Sequence, residues 1–104
     1  MKSRRLKPND RKILILDAAV SLSKQGRGYI DLSRSNVAKA AGVSPGLVCK
    51  YFPAMKDLKK AVMKTAIEQE LLPVIAQGLA VSDPIARNAP QEIRTKAIIA
   101  LGVS

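Results

Sequence analysis

Five consecutive residues, Ala41-Gly42-Val43-Ser44-Pro45, constrain this chain more than any other stretch, because each favours the same local geometry. Gly42 suits the left-handed conformation that follows a helix C-terminus. Ser44 is placed to cap the next helix and Pro45 to occupy its first position, where a missing N–H costs nothing. Val43, apolar between them, plugs the turn into the core. Upstream, Ser33 is placed to cap a helix with Val37, Ala40 and Ala41 inward. Downstream, a helix runs from Pro45 to about Tyr51, where Phe52-Pro53-Ala54 breaks it. The stretch from Ser33 to Phe52 therefore reads as a helix-turn-helix.

The flanking sequence is helical as well. Pro8-Asn9-Asp10 looks like a helix entry, and from Asp10 to about Lys24 a face of Ile13, Leu16, Ala19, Val20 and Ser23 is expected inward. Ala18 and Leu22 widen it, and Gly26 and Gly28 end the helix. A fourth helix opens near Met55, with Leu58, Ala61, Val62 and Thr65 inward and Lys56, Lys60 and Lys64 as a stripe on another face. Pro73 predicts a break around Gln69 to Leu72, followed by a fifth helical stretch to about Leu79. Asp83-Pro84 reads as another cap and first turn. Pro90 opens a last helix from Gln91 to about Leu101. No strand alternation and no internal repeat is present, so the expected fold class is all-α.

Charge points to a partner. The 104 residues carry a formal net charge of +10. Residues 1 to 64 hold 15 Lys plus Arg against 4 acids, net +11, whereas residues 65 to 104 hold 3 against 4, net −1. Such asymmetry favours a polyanion on the first two thirds, because phosphate contacts by Lys and Arg release counterions. Nucleic acid is the first such ligand and an anionic membrane surface the second. No apolar stretch approaches the ~20 residues of a membrane span, and no signal peptide precedes the domain, so a cytoplasmic protein is expected. Cys49 is the single cysteine and histidine is absent, which excludes an intramolecular disulfide, zinc sites and histidine-based catalysis. The eight acids form no pair with a base or nucleophile motif, and no glycine loop cradles a phosphate. The sequence thus suggests neither an enzyme nor a cofactor.

The elements Ile15-Leu16-Asp17-Ala18-Ala19, Gly26, Tyr29, Ser33, Val37-Ala38, Ala41-Gly42-Val43-Ser44, Gly46, Tyr51-Phe52 and Leu58 resemble, in order and spacing, the N-terminal DNA-binding domain of TetR-family transcriptional repressors. The resemblance covers roughly residues 11 to 67. It implies a three-helix domain whose third helix enters the major groove and whose fourth links to a dimerising C-terminal region. The implied organisation is a basic arm at 1–10, the DNA-binding domain at 11–67 and a short helical dimerisation region at 68–104. Carried over position by position, the resemblance implies that Ser33, Arg34 and Ser35, at the start of the second helix, approach the phosphate backbone. Ser44, Pro45, Gly46, Leu47 and Lys50 are implied at the groove, with Tyr51 on phosphate. Three departures stand out. Leu47 occupies a position where threonine is common, Cys49 one where a phosphate-contacting tyrosine is common, and Met55 one where lysine is common at the start of the fourth helix. Lys56, one position later, partly replaces that lysine, although one residue turns the side chain by about 100°.

The chemistry of these residues suits DNA. Gly46 allows close backbone approach, Lys50 can hydrogen-bond guanine, and Leu47 either contacts a thymine methyl or belongs to the core. Val48 is expected to face Val37 and Val43. Lys56, Lys59 and Lys60 crowd the positive end of the fourth helix, where each costs roughly 0.3 to 1 kcal/mol unless an external anion offsets it. The arm with Arg4 and Arg5 either enters a minor groove, lies along phosphates, or merely solubilises. Cys49 is a small filler or, next to Lys50, a redox-sensitive thiol at the DNA surface. Family members usually carry a longer C-terminal helical domain with an effector pocket. Its absence here leads to the expectation of a compact regulator with no small-molecule effector, controlled by its own concentration, its own promoter included. Leu71, Leu72, Ile75, Leu79, Ile93, Ile98 and Leu101 are expected to pair two subunits. The expectation is a homodimeric repressor on double-stranded DNA carrying a pseudo-palindromic operator. The rival is a basic helical adaptor for a protein partner, and peripheral membrane attachment is a third reading.

Overall fold

The structure, a computed structural model, describes residues 8–102. Its elements are α1 (Pro8–Ser23), α2 (Arg34–Ala41), α3 (Pro45–Tyr51), α4 (Met55–Glu68), α5 (Leu72–Ala80), α6 (Pro84–Arg87) and α7 (Gln91–Gly102), with no strand among the described residues. The all-α expectation holds. The arm carrying Arg4 and Arg5 lies outside the described residues.

Each boundary has a local cause. At the end of α1 the Ser23 hydroxyl turns back to donate to the Ala19 carbonyl at 2.7 Å. The loop that follows passes so close to α1 that a Cβ at Gly28 would stand 1.8 Å from the Leu22 carbonyl oxygen, so only glycine fits. The break foreseen between Gln69 and Leu72 is present: α4 ends with the Leu71 N–H on the Ala66 carbonyl at 2.8 Å. Pro73 then sits in the first turn of α5, where no N–H is needed. Asp83 caps α6, accepting from the Ile85 and Ala86 amides at 2.9 and 3.2 Å.

Helix α1 packs on α2 and α4, α2 on α3, α4 on α5 and α6, and α5 on α7. One continuous core runs through this arrangement, from Ile15 and Ala19 of α1 through Val37, Val48, Leu58 and Val62 to Val74, Ile75 and Ala97. Helix α5 is its centre beyond α4, with Val74 to Gly78 buried in succession. A helix apolar all round belongs inside a protein, which is where the packing puts it.

Of the expected inward faces, Ala19, Val20, Ser23, Val37, Leu58 and Val62 are buried, and two residues, Ile13 and Ala40, are corrected. Ile13 is 48 % exposed, whereas Ile15 is fully buried. Those two residues differ by about 200° of helical turn, and covering α1 from two sides by α2 and α4 selects the Ile15, Ala19, Ser23 stripe. On α2, Ala38 is buried and Ala40 exposed. On α4, Met63 and Ala66 are buried besides Leu58 and Val62, because α5 covers a second face: Met63 reaches Gly78. The residues expected to pair subunits are largely internal. Ile75 is fully buried, and Leu71, Leu72, Leu79 and Ile93 pack against the core. Of that set Ile98 is 58 % exposed, as is its neighbour Ile99, while the Leu101 side chain lies outside those described. The cause is α5 folding back between α4 and α7, which consumes the apolar surface within the chain.

Polar groups fasten this junction. The Gln77 side-chain oxygen accepts from the Tyr29 and Ile30 amides at 2.8 and 3.2 Å, and its amide nitrogen donates to the Ser23 and Pro73 carbonyls at 2.7 and 3.2 Å. The Tyr29 hydroxyl donates to Asp83. Burial, and then the hydrogen bond and negative charge of Asp83, push the Tyr29 phenol well above its ordinary range. Both contacts tie the loop between α1 and α2 to the C-terminal helices.

Candidate nucleic-acid interface

Reciprocal hydrogen bonds open α2: the Ser33 hydroxyl accepts from the Asn36 amide at 3.1 Å, and the Asn36 side chain accepts from the Ser33 amide at 2.9 Å. This is a capping box with asparagine in place of the usual Glu or Gln. Gly42, at φ 73° and ψ 31°, ends the helix in the left-handed region, its N–H on the Ala38 and Lys39 carbonyls. The Val43 amide closes the turn on the Ala38 carbonyl at 3.0 Å. Ser44 caps α3 by accepting from the Leu47 amide at 3.2 Å, and Pro45 is the first helical residue. In both caps the hydroxyl oxygen is the acceptor, which leaves each hydroxyl proton free to donate to a ligand.

Val48 is the buried anchor of α3, and burying such a side chain contributes roughly 1.5–3 kcal/mol. Its burial turns Gly46, Cys49 and Lys50 to solvent, together with Ser44 and Pro45. Leu47 is half-buried against the core edge, as is Tyr51. The Lys50 ammonium lies 5.8 Å from the Tyr51 ring centroid, which aligns two expected DNA-facing side chains. A Cβ at Gly46 would meet no atom closer than the Ser44 hydroxyl at 3.8 Å, so nothing within the chain requires glycine there.

Around the helix pair the expected residues divide into exposed and engaged. Ser35 and Lys56 are exposed and Ser33 is half-buried. Arg34 is engaged: its guanidinium donates to the Pro53 carbonyl at 2.6 Å, and its Nε is buried without a partner. Cys49 Sγ lies 4.0 Å from the same carbonyl. The α2 N-terminus is thereby held against the turn between α3 and α4. Lys59, expected among the cations at the start of α4, is instead half-buried and engaged within the chain. It donates to the Ile30 carbonyl at 3.1 Å and lies over the Tyr29 ring, because its position on the wheel faces the loop and not the Lys56, Lys60, Lys64 stripe. In the first turn of α4, Asp57 accepts from the Ala54 amide at 3.3 Å and complements the helix dipole.

Sequence reasoning missed Lys12, whose ammonium lies 5.4 Å from the Phe52 ring centroid and brings a cation of α1 beside the end of α3. No local pattern announces a contact across that separation. No helix among the described residues is long and apolar enough to cross a membrane.

No curated protein and no solved structure matches the chain. The family model described as "Bacterial regulatory proteins, tetR family" matches residues 15–62, from within α1 to within α4 and across the whole turn between α2 and α3. Residues 15–62 thus carry a helix-turn-helix DNA-binding domain similar to those of the TetR family, which supports a DNA-binding transcriptional regulator.

Proposed function

We propose that the protein is a homodimeric repressor that occupies a pseudo-palindromic operator, each subunit setting α3 into one of two major grooves about one helical turn apart. The observation that carries this reading is the outward face of α3, where Gly46 and Lys50 are exposed opposite the buried Val48. Gly46 supports close backbone approach, since no contact inside the chain demands it. Lys50 reads guanine and Leu47 offers its free edge to a thymine methyl. The Ser33 and Ser44 hydroxyls, with Ser35, Tyr51 and Lys56, take phosphates. Pro45 sets the start of α3, and Cys49 lines the groove-facing side. Arg34 is a positioning residue, because its guanidinium is occupied by the Pro53 carbonyl. Residues 68–104 supply the subunit contact through the exposed Ile98 and Ile99 of α7. Exposed apolar side chains of this kind favour a second copy of the same face.

Enrichment of duplexes from a random-sequence pool tests the proposal. An inverted repeat with half-site centres about one turn apart, bound by two copies of the chain, is the expected product. A pool that stays random after repeated selection would exclude specific regulation.

A further inference from the structure

The cation density continues beyond α3. Lys12 of α1 and Lys60 and Lys64 of α4 line one open cleft, which has Phe52 among its apolar lining and Tyr51, the last residue of α3, at its edge. All three lysines are exposed. None pairs with a carboxylate among the described residues, where the ion pairs are Arg27–Asp31 and Lys96–Glu70. The acid in the cleft, Asp57, has its carboxylate on the Ala54 amide. Lysines at i, i+4 and i+8 repel one another along α4, a cost that an external anion relieves.

We infer that this α1/α4 cleft is a second DNA-contact surface that reads no sequence: Lys12, Lys60 and Lys64 take the phosphodiester backbone of the duplex beyond the stretch that faces α3. The inference rests on the DNA-binding reading and extends its footprint. Two features select a duplex. The cleft is continuous with the reading helix through Tyr51, so a strand leaving α3 meets these lysines next. The Lys56 to Lys64 row spans about 12 Å of helix, comparable to three or four phosphates of one strand along the duplex axis. An anionic bilayer fits less well, because insertion needs apolar side chains projecting past the cations. Here Phe52 is buried under Lys12.

The test is the salt dependence of binding to a mixed-sequence duplex of about three helical turns, read by fluorescence anisotropy. The proteins are wild type, Lys60→Gln with Lys64→Gln, and a charge-matched control, Arg87→Gln with Lys96→Gln, on the C-terminal helices. Circular dichroism verifies that all three are folded. The slope of log K against log salt is expected to fall by about 2 per bound subunit in the first variant, hence by about 3.6 for a dimer, since each phosphate contact contributes about 0.9. In the control it stays at the wild-type value. An unchanged slope in the first variant, or an equal fall in both variants, overturns the inference while leaving DNA binding intact. Wild type that binds no duplex overturns the underlying reading and the inference with it. If the lysine pair instead governs binding to phosphatidylserine vesicles with the duplex slope unchanged, the cleft is a membrane surface and the inference fails.

Discussion

Replacing Gln77 by leucine removes four hydrogen bonds and nearly preserves side-chain volume, which makes it a direct test of what joins the DNA-binding helices to the rest of the chain. Gln77 is buried, as are Ser23 and Tyr29, two of the residues it holds. The bonds at 2.7 Å to the Ser23 carbonyl and 2.8 Å from the Tyr29 amide lie in that interior. The Pro73 carbonyl is only one helical turn away within α5, and the Ile30 amide is part-buried at 3.2 Å, so the loss of these two weighs less. Leaving one buried donor and one buried acceptor unpaired costs about 1–3 kcal/mol each, which gives a destabilisation of about 2–6 kcal/mol. Against a total of about 5–15 kcal/mol for a domain of this size, that is a substantial share of the stability. The variant's thermal midpoint should fall by at least about 10 °C. Urea unfolding followed by far-UV circular dichroism measures the loss. Gln77→Glu, which keeps the acceptor but not the donor to Ser23, should be destabilised too. A loss below about 1 kcal/mol for Gln77→Leu would refute the reasoning, since it would mean that the joined groups find other partners at no cost.

Three further outcomes follow from the same structure. Gly46→Ala should leave the thermal midpoint unchanged or raised, because the added Cβ meets only ordinary contact at 3.8 Å; duplex affinity should nevertheless drop by about tenfold or more, ~1.4 kcal/mol, and equal affinity would remove the close-approach argument. Stability should decline as pH rises above about 10, the unfolded tyrosine value. Folding raises the Tyr29 pKa, so the folded state keeps a proton that the unfolded chain loses there. In Tyr29→Phe, less stable throughout for want of the Asp83 bond, the decline should be smaller, and parallel pH profiles of the urea midpoint would contradict the assignment. Cys49, the single cysteine and exposed, should react rapidly with a maleimide in the free protein and at least about tenfold more slowly under saturating duplex. Equal rates would show that α3 does not face the DNA.

What the sequence disclosed follows the range of the forces involved. The turn between α2 and α3 was readable because Gly42, Ser44 and Pro45 each answer a requirement within a few residues of themselves. The break before α5 and the α6 cap were readable for the same reason, in Pro73 and Asp83. On α1 the inward Ala19, Val20 and Ser23 were readable, but the choice of Ile15 over Ile13 was not, because α2 and α4 together decide which stripe is covered. Nor was the fate of α5. Its hydrophobicity suits subunit pairing and internal packing equally, and only the tertiary arrangement buries Ile75 within the chain. One signal went unused: Gln77 is the lone polar side chain in the apolar run from Leu72 to Ala80, and such a residue asks for a buried partner. The links Tyr29 to Asp83 and Arg34 to Pro53 span 54 and 19 residues and leave no local pattern.

The central claim is that α3 reads DNA sequence through Lys50. The direct measurement is the affinity of wild type and Lys50→Ala for a selected duplex and for its scrambled counterpart, at one salt concentration. Loss of a good base contact costs about 1–3 kcal/mol, so the variant should bind the selected duplex about fivefold to a hundredfold more weakly. Removing a non-reading cation from the scrambled complex should change its affinity much less. Equal weakening on both duplexes, or wild-type affinities that match between them, would contradict the account.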